Sequence, residues 1–399
     1  MRIAVLSYWS CPYTRLGVLK AGGMNVYILN FAKYLGLGGH KVDIYTTSHK
    51  GSDETVIHGG NIRLIHLSSQ DTNHKAGAIA FGQSVYEYIK KNSLQYDITH
   101  AHYYYSSLSA IVLKKMADIP FVITFHTLST TKKRYGGFDE PGRYDIEKTV
   151  TRQSDGIIAS TELEKQELIN SYRAQKDKIF IVHPGVNHHI FKPYDKIHAR
   201  SLLQIPHDKK IILFVGRIDP VKGIQFLIEA VHKLSMIDQT FTDKFRVLLI
   251  GGDISSNSFW KHPEVIKIKT LIARLDLECC VKFIGSKPHG LLPYYYSAAD
   301  CVVLPSVYES FGFVVLEAMS CGVAVVASKV GGLRYLIKDG ISGLLFESGD
   351  TDQLCRALKK LFNDERLAIT LGKNAYHESL NYCWDIQADK LVKTYGKLI

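Results

Sequence analysis

The chain has 399 residues, of which 46% are hydrophobic and 22% charged, and its formal net charge is +11. This composition excludes a disordered chain, and the length predicts two or three globular domains at about 100–200 residues each. The positive charge serves solubility alone or attracts phosphates or an anionic membrane surface, and it does not bear on the fold.

Short apolar runs alternate with amphipathic stretches in the first half of the chain. Helices are predicted over 24–39, near 77–92, near 106–117, over 143–155 and over 162–172. Strands are predicted at 3–9, 40–47, 62–67, 97–102, 121–126, 155–161 and 178–184. This alternation predicts a parallel sheet with helices on both faces.

The same alternation of strands and helices resumes after a stretch rich in Pro, His and charged residues. Strands are predicted at 209–219, 245–253, 281–286, 300–306, 323–328 and 343–348, with helices between them and a helical tail. We therefore expect an α/β protein with an amino-terminal domain (1–190), a linker (191–206), a second domain (207–380) and a last helix (381–399) that packs back toward the first domain. Ligands bind at the carboxyl ends of parallel strands, so two such domains predict a cleft between them.

The stretch 305–328 carries the most informative motif. It ends a predicted strand and opens a predicted helix, with Glu309 on the loop, Gly312 at the turn and Glu317 one turn into the helix. A helix start attracts hydroxyl and phosphate oxygens, and carboxylates suit a sugar because it presents mostly O–H donors. We expect Glu309 to bind sugar hydroxyls and Glu317 a ribose diol, although either glutamate alone would be an ordinary loop or helix-end charge.

A second motif, 214–224, places Arg217 and Lys222 on either side of a turn at Asp219-Pro220. Two cations at the carboxyl edge of a sheet can hold a diphosphate, with Arg as a planar fork and Lys as a point charge. Taken alone, the two residues would equally be solvated surface charges.

A third motif, 20–27, contains Gly22, Gly23 and Asn25. The glycines would let backbone N–H groups approach a phosphate, and Asn25 adds a polar side chain. An ordinary helix start is the alternative, since Gly and Asn are both common there.

Two predicted strands end in histidines, at His100 and His102 and at His126. This set lacks a third ligand at zinc spacing, so we expect no metal and place these side chains beside an acceptor pocket. For His100 a core role is the alternative. The imidazole pKa is easily moved near neutral pH, which makes His126 a candidate for the reaction centre.

Several classes of protein are disfavoured. The seven cysteines are scattered and unpaired in spacing, which argues against zinc or disulfide frameworks and favours a reducing compartment. No apolar run reaches about 18 residues, and no signal peptide is recognisable. The G-x-G-x-x-G and GxxxxGK[ST] patterns are missing, which disfavours a dehydrogenase and a P-loop NTPase, and nucleic-acid binding has only the net charge behind it.

Together these motifs resemble the retaining glycosyltransferases of the family 4 type, which have two Rossmann-like domains in the GT-B arrangement. The group with sucrose-phosphate synthases and the mycothiol-pathway inositol-phosphate N-acetylglucosaminyltransferase is similar over nearly the whole chain. Glu309 and Glu317 match its pair of glutamates seven residues apart, Arg217 and Lys222 match its diphosphate clamp, and AGGMNVY (21–27) matches the mycothiol enzyme.

The resemblance implies how a nucleotide-sugar donor would be held. Glu317 would hold the ribose and Glu309 the donor sugar, while Arg217 and Lys222 carry the phosphate charge in place of a metal. Gly23 would approach the distal phosphate, and His126 would lie beside the reacting sugar. The backbone of the loop before the helix would add N–H donors from Ser310, Phe311, Gly312 and Phe313.

The resemblance also implies a phosphorylated acceptor, held by residues of the amino-terminal half. The positions that match are Lys75, Tyr103, Thr127 and Arg143, and we add Asn25 as a further acceptor-binding candidate and Lys132, Lys133 and Arg134 as further cations. The loop 11–20 and the segment 132–146 depart from the family pattern, which leaves the acceptor's identity open.

We therefore expect a cytoplasmic, retaining hexosyl- or N-acetylhexosaminyltransferase that uses a UDP-linked donor, a small phosphorylated polyol or sugar acceptor, and no cofactor. The attack would come on the same face of the sugar that the diphosphate leaves. Alternatives are a lipid or polysaccharide acceptor at a membrane surface, a sugar-nucleotide epimerase, and a non-catalytic nucleotide-sugar binder. A peripheral membrane contact and a homodimer are also left open.

Overall fold

The computed structural model describes residues 1–13, 22–48, 55–68, 74–135 and 140–399, with only the backbone for 55–58. Two compact units are distinguished: the described part of 1–185 together with Trp384–Ile399, and Val186–Cys383. The segment 191–206, predicted as a linker, therefore belongs to the second unit and contains a helix, Lys196–Leu203. Most of the loop 11–20 and part of 132–146 lie outside the described residues.

The first unit is a sheet covered by helices. Its strands are β1 (Arg2–Ser7), β2 (Lys41–Thr47), β3 (Thr55–Gly59), β4 (Ile62–Leu67), β5 (Ile98–His102), β6 (Phe121–Thr124), β7 (Gly156–Ala159) and β8 (Ile179–Ile181). Its helices are α1 (Gly23–Leu37), α2 (His74–Lys91), α3 (Tyr103–Ala117), α4 (Ser129–Arg134), α5 (Arg143–Gln153), α6 (Glu162–Tyr172) and, at the end of the chain, α17 (Trp384–Tyr395).

The strand order in this sheet is β3-β4-β2-β1-β5-β6-β7-β8. Pairing between the described strands is parallel apart from β3 with β4. The strand order switches between β1 and β5, which are parallel neighbours with Ile3 paired to Ile98. Strands β2 to β4 extend the sheet on one side of this pair, and β6 to β8 extend it on the other. Ligands of doubly wound sheets bind at such a switch, so the carboxyl ends of β1 and β5 mark the candidate pocket of this unit.

Strand β3 is absent from the sequence prediction, which proposes parallel strands only. It pairs antiparallel with β4 at the edge of the sheet. The two strands are joined by Gly60 and Asn61, and Gly60 has a φ of 61°. Two residues that tolerate positive φ between short strands are typical of a β-hairpin. Gly59-Gly60-Asn61 is therefore the sequence pattern that indicates the hairpin of β3 and β4.

The second unit is also a covered sheet. Its strands are β9 (Lys210–Val215), β10 (Phe245–Ile250), β11 (Val281–Phe283), β12 (Cys301–Leu304), β13 (Ala324–Ser328) and β14 (Leu344–Phe346). Its helices are α7 (Lys196–Leu203), α8 (Ile224–Ile237), α9 (Phe241–Lys244), α10 (Asn257–Trp260), α11 (Pro263–Arg274), α12 (Leu292–Ala298), α13 (Phe313–Ser320), α14 (Leu333–Leu336), α15 (Thr351–Asn363) and α16 (Glu365–Ser379).

These strands are parallel, in the order β11-β10-β9-β12-β13-β14. The order is that of the Rossmann fold, with its switch between β9 and β12. The central strands β9, β12 and β13 are mostly apolar and buried on both faces, as a parallel sheet between two helical layers requires. The motif after β9 and the motif after β12 are thereby brought to the same sheet edge.

Among the described helices, none has both the length and the hydropathy of a membrane-spanning segment.

Candidate functional site

The turn after β9 packs closely against the residues that follow β12. Asp219 caps a short 3-10 helix, Pro220–Lys222, by accepting a hydrogen bond from the backbone N–H of Val221 at 3.0 Å. Gly223 follows with a φ of 63°, and a Cβ there would lie 2.1 Å from the backbone oxygen of Pro305. Glycine is required at this position because the backbones of the two motifs approach so closely.

Lys222 and Glu309 form an ion pair across this edge. The Lys222 Nζ contacts Glu309 Oε1, and the Ser306 hydroxyl donates to the same oxygen at 3.2 Å. Only 17% and 14% of the two charged side chains are exposed. A Cβ on Gly331 would lie 1.7 Å from the backbone oxygen of Glu309, so the Glu309 loop is confined from the other side as well. The pair is thus fixed rather than a loose surface contact.

Arg217 is arranged differently from Lys222. Its side chain is 63% exposed, and its Nη2 lies 3.6 Å from Asp219 Oδ2. The two predicted cations therefore share the carboxyl edge of β9, but one is locked to Glu309 and the other extends into solvent. Because its guanidinium is already exposed, Arg217 could contact a phosphate without desolvation of a buried cation.

Gly312 is the N-cap of α13 and has a φ of 104°. A side chain there would be strained, and its Cβ would lie 2.4 Å from Leu333. The loop 310–313 therefore leads directly into a helix start, a place whose backbone N–H groups and dipole favour an anion or a hydroxyl oxygen.

Glu317 is buried, with 7% of the residue exposed, and both carboxylate oxygens have partners. His289 Nε2 lies 2.9 Å from Oε1, and the Tyr296 hydroxyl donates to Oε2 at 2.9 Å. Burial lowers the pKa of His289, but the hydrogen bond to Glu317 and its charge outweigh burial and raise the pKa above its usual value. Neither partner was predicted from the sequence, because no motif in 286–296 marks His289 or Tyr296.

In the first unit, Gly23 is exposed at the start of α1, and Asn25 is fully buried. Asn25 Nδ2 donates to the backbone oxygen of Cys11 at 2.8 Å and to the Ser10 hydroxyl at 3.3 Å. Its Oδ1 has no hydrogen-bond partner among the described residues. In this structure Asn25 anchors the chain that leaves β1.

Tyr103, Thr127 and Arg143, which the resemblance places around an acceptor phosphate, do come together. The Arg143 guanidinium donates to the Tyr103 hydroxyl at 3.2 Å and to the backbone oxygen and Oγ1 of Thr127 at 2.5 and 3.0 Å. Arg143 is only 1% exposed, and its Nε donates to Glu147 Oε1 at 2.7 Å. The positive charge of this cluster is therefore already balanced by a buried carboxylate.

The other predicted cations lie on two helices of the first unit. Lys75 lies exposed in the first turn of α2, and Lys132, Lys133 and Arg134 form the last turn of α4. Arg134, 55% exposed, makes an ion pair with the mostly buried Glu167 at 3.0 Å.

Two residues beside Arg143 were not predicted. Glu140 Oε2 accepts hydrogen bonds from the hydroxyls of Tyr104 and Tyr105 at 2.6 and 2.7 Å. These bonds outweigh burial and lower the Glu140 pKa. The half-buried Trp9 stacks on Tyr105, with 5.6 Å between ring centroids. An ionised carboxylate and an aromatic face therefore lie near the Arg143 network.

The three predicted histidines form one chain, in which His100 and His102 are buried and His126 is partly exposed. His102 Nδ1 lies 3.1 Å from His126 Nε2, and the His100 and His102 rings are 4.2 Å apart. His100 is held by the Tyr395 hydroxyl at 2.6 Å and the Thr124 hydroxyl at 2.8 Å. His126 has a φ of 63°, uncommon for a non-glycine residue and often found at functional sites. Burial lowers its pKa to about 3, so His126 is neutral at physiological pH.

We expect this histidine chain to make the first unit acid-sensitive. Burial lowers the pKa of His100 and of His126 to about 3 and that of His102 well below its usual value. The unfolded chain takes up these protons from about pH 6.5, so stability should fall as the pH drops from there toward 3, by up to about 1.4 kcal/mol per pH unit for each ring. Glu164, whose pKa burial raises to about 7, acts in the opposite sense.

Urea unfolding of the full chain at pH 7, 6 and 5 measures this effect. His100→Gln removes one titrating ring and should flatten the dependence of the first unit's transition on pH. A wild-type midpoint that does not change from pH 7 to pH 5 would contradict the expectation.

Among the described residues, no cluster of three His, Cys, Asp or Glu side chains is placed to hold a metal ion. The second unit instead offers the Lys222–Glu309 pair, Arg217, a glycine-capped helix start and the buried Glu317 at one sheet edge. This set can bind a molecule that carries both phosphates and hydroxyls.

Comparisons with known proteins agree with this chemistry. Residues 195–378 match the family "Glycosyl transferases group 1", and residues 21–189 match "Glycosyltransferase Family 4". The D-inositol 3-phosphate glycosyltransferase of Corynebacterium urealyticum is 34% identical over 414 residues, covering 100% of this chain and 96% of the relative. That of Corynebacterium efficiens is 31% identical over 413 residues, covering 100% and 95%.

Solved structures give the same result. Sucrose-phosphate synthase from Thermosynechococcus elongatus has a TM-score of 0.87 at 28% identity, covering 100% of this chain and 98% of that one. HepE of Anabaena in complex with UDP-glucose has a TM-score of 0.78 at 20% identity with full coverage of both chains, a likeness of fold alone. The predicted resemblance and the predicted class, two Rossmann-like α/β domains of the GT-B type, are confirmed.

Proposed function

This chain belongs to the glycosyltransferases of group 1 and family 4, and from that premise we propose that it is a retaining hexosyl- or N-acetylhexosaminyltransferase. Its donor is a UDP-linked sugar, and its acceptor is a small phosphorylated polyol or sugar. The arrangement at the switch between β9 and β12 carries the proposal: a locked Lys222–Glu309 pair beside a glycine-capped helix that bears the buried Glu317.

In the proposed donor complex, each group meets the part of the nucleotide sugar that suits its chemistry. Glu317 accepts the ribose diol, and Glu309 accepts hydroxyls of the donor sugar. Lys222 and Arg217 face the diphosphate, and the N–H groups of 310–313 add donors at the helix start. Lys222, which Glu309 holds in place before the reaction, and Arg217 together stabilise the charge that grows on the leaving phosphate, and this replaces a metal ion.

The proposed acceptor lies against the Arg143 network. The relatives' names support a phosphorylated acceptor: two are D-inositol 3-phosphate glycosyltransferases, and one structure is a sucrose-phosphate synthase. Because Glu147 already balances Arg143, a phosphate there needs further positive charge, which Lys75, Lys132 and Lys133 can provide. Glu140 is placed to accept hydroxyls of the same molecule.

In the proposed reaction the acceptor hydroxyl attacks the face of the sugar from which the diphosphate departs. The leaving diphosphate oxygen takes the acceptor proton, so no protein base is needed for that step. His126 lies beside the positive sugar and, being neutral, adds no repelling charge. We propose the cytoplasm as the site of action, since the seven cysteines are free thiols.

A matrix of UDP- and GDP-linked donors against acceptors tests the proposal. The acceptors are inositol 3-phosphate, fructose 6-phosphate, their unphosphorylated forms and a lipid acceptor. We expect transfer from a UDP-sugar to a phosphorylated acceptor, with the anomeric configuration retained by NMR. Inversion would contradict the mechanism, transfer only to lipid or unphosphorylated acceptors would contradict the acceptor, and a donor that is only epimerised or only bound would exclude transfer.

A further inference from the structure

We propose that His289 is a positioning residue that, together with Tyr296, holds the Glu317 carboxylate as a fixed, ionised acceptor for the ribose diol of the donor. This inference rests on the proposed function, because it assigns Glu317 to the ribose. Nothing in the sequence motifs or in the comparisons assigns a role to His289.

The hydrogen-bond count at Glu317 supports this role. A carboxylate offers about four acceptor positions, two on each oxygen. The protein uses one on each oxygen, from His289 Nε2 at 2.9 Å and from the Tyr296 hydroxyl at 2.9 Å. One donor on each oxygen prevents rotation of the carboxylate and leaves one acceptor position on each for two neighbouring hydroxyls.

The charge balance gives His289 a role that Tyr296 cannot share. Glu317 is nearly buried, and an ionised carboxylate is costly to bury unless a cation compensates it. Of its two hydrogen-bonding side chains, only His289 can become a cation. Among the described residues, the Glu317 charge also acts on Tyr296 and Cys321, and burial keeps both neutral by raising their pKa values well above the ordinary ones.

The position of His289 is also well defined. It begins a 3-10 helix, His289–Leu291, that leads into α12, the helix that carries Tyr296. Its ring packs edge-on against Phe191, with centroids 4.9 Å apart. About a third of its side chain remains exposed, so the imidazole can exchange protons with solvent. Because Glu317 raises the His289 pKa, its positive charge is present at low and neutral pH and is lost as the pH rises through that pKa.

Isothermal titration calorimetry of UDP binding tests the inference. UDP carries the ribose, and its binding can be measured without any sugar transfer. We expect His289→Ala to weaken UDP about tenfold at pH 7, the usual scale for a hydrogen bond to a charged group. His289→Gln keeps an N–H donor but cannot titrate, so it should bind more tightly than the alanine variant. Wild-type affinity should fall from pH 6 to pH 9 relative to this glutamine variant, a comparison that cancels the titration of the UDP phosphate.

His377→Gln is the matched control, because His377 is exposed in the last turn of α16 of the same unit and should leave UDP binding unchanged. Unaltered UDP affinity in His289→Ala, or the same pH dependence in wild type and His289→Gln, would overturn the inference. Glu317→Ala separates the two proposals. If it binds UDP like wild type, the ribose assignment of the proposed function fails. If it binds weakly while His289→Ala does not, only the role of His289 fails.

Discussion

Replacing Lys222 by alanine is expected to lower the turnover of sugar transfer by about 10²–10³, the effect of losing one fixed group that stabilises charge in the transition state. In this chain the substitution does two things. It removes the cation proposed to face the diphosphate, and it leaves Glu309 without its ion-pair partner at a nearly buried position. The released carboxylate would repel the diphosphate, so the loss should exceed that of Arg217→Ala.

Single-turnover and steady-state kinetics with a UDP-sugar measure this change. Lys233→Ala is the matched control: Lys233 lies on α8 of the same unit and pairs with Asp352 at 2.5 Å on the surface. It should leave turnover within about twofold, since exposed pairs contribute little. Normal turnover in Lys222→Ala would remove Lys222 from the reaction.

Replacing Arg143 by alanine is expected to destabilise the first unit by about 3–5 kcal/mol, because it leaves a buried carboxylate without its counter-charge. The Arg143 and Glu147 side chains are both fully buried, 2.7 Å apart. Glu147 also accepts from the Tyr172 hydroxyl and from the backbone N–H of Ser129, so it is fixed in place by the surrounding helices. It cannot turn toward water when the guanidinium is removed.

Urea unfolding of the single and double variants measures this effect. Arg143→Met combined with Glu147→Gln should recover most of the stability, since no charge then remains buried. Arg134→Ala removes an arginine that is 55% exposed from its pair with Glu167, whose carboxylate keeps a hydrogen bond from the Ser171 hydroxyl, and it should cost less than about 1 kcal/mol. Equal losses for Arg143→Ala and Arg134→Ala would show that burial of the pair is unimportant.

The architecture and the motif at the second sheet edge could be predicted from local sequence. Apolar runs of strand length that alternate with amphipathic helical stretches predict a parallel sheet, and both halves of the chain show this pattern. Gly312 and the two glutamates around it lie within nine residues, so their placement on a loop and a helix start follows from one turn. The edge strand β3 was missed although Gly60 and Asn61 marked its hairpin, because a short strand at a sheet edge gives little periodicity.

The partners of these residues follow from strand order and helix packing. Lys222 meets Glu309 from 87 positions away, Arg143 meets Tyr103 from 40, and His289 meets Glu317 from 28. The sequence by itself determined which side chains stand at the carboxyl ends of strands, since that depends on local pattern alone. Only the tertiary structure decided which charges neutralise one another and which carboxylate is held by a histidine, because those contacts depend on which strands are neighbours and on how deeply each group is buried.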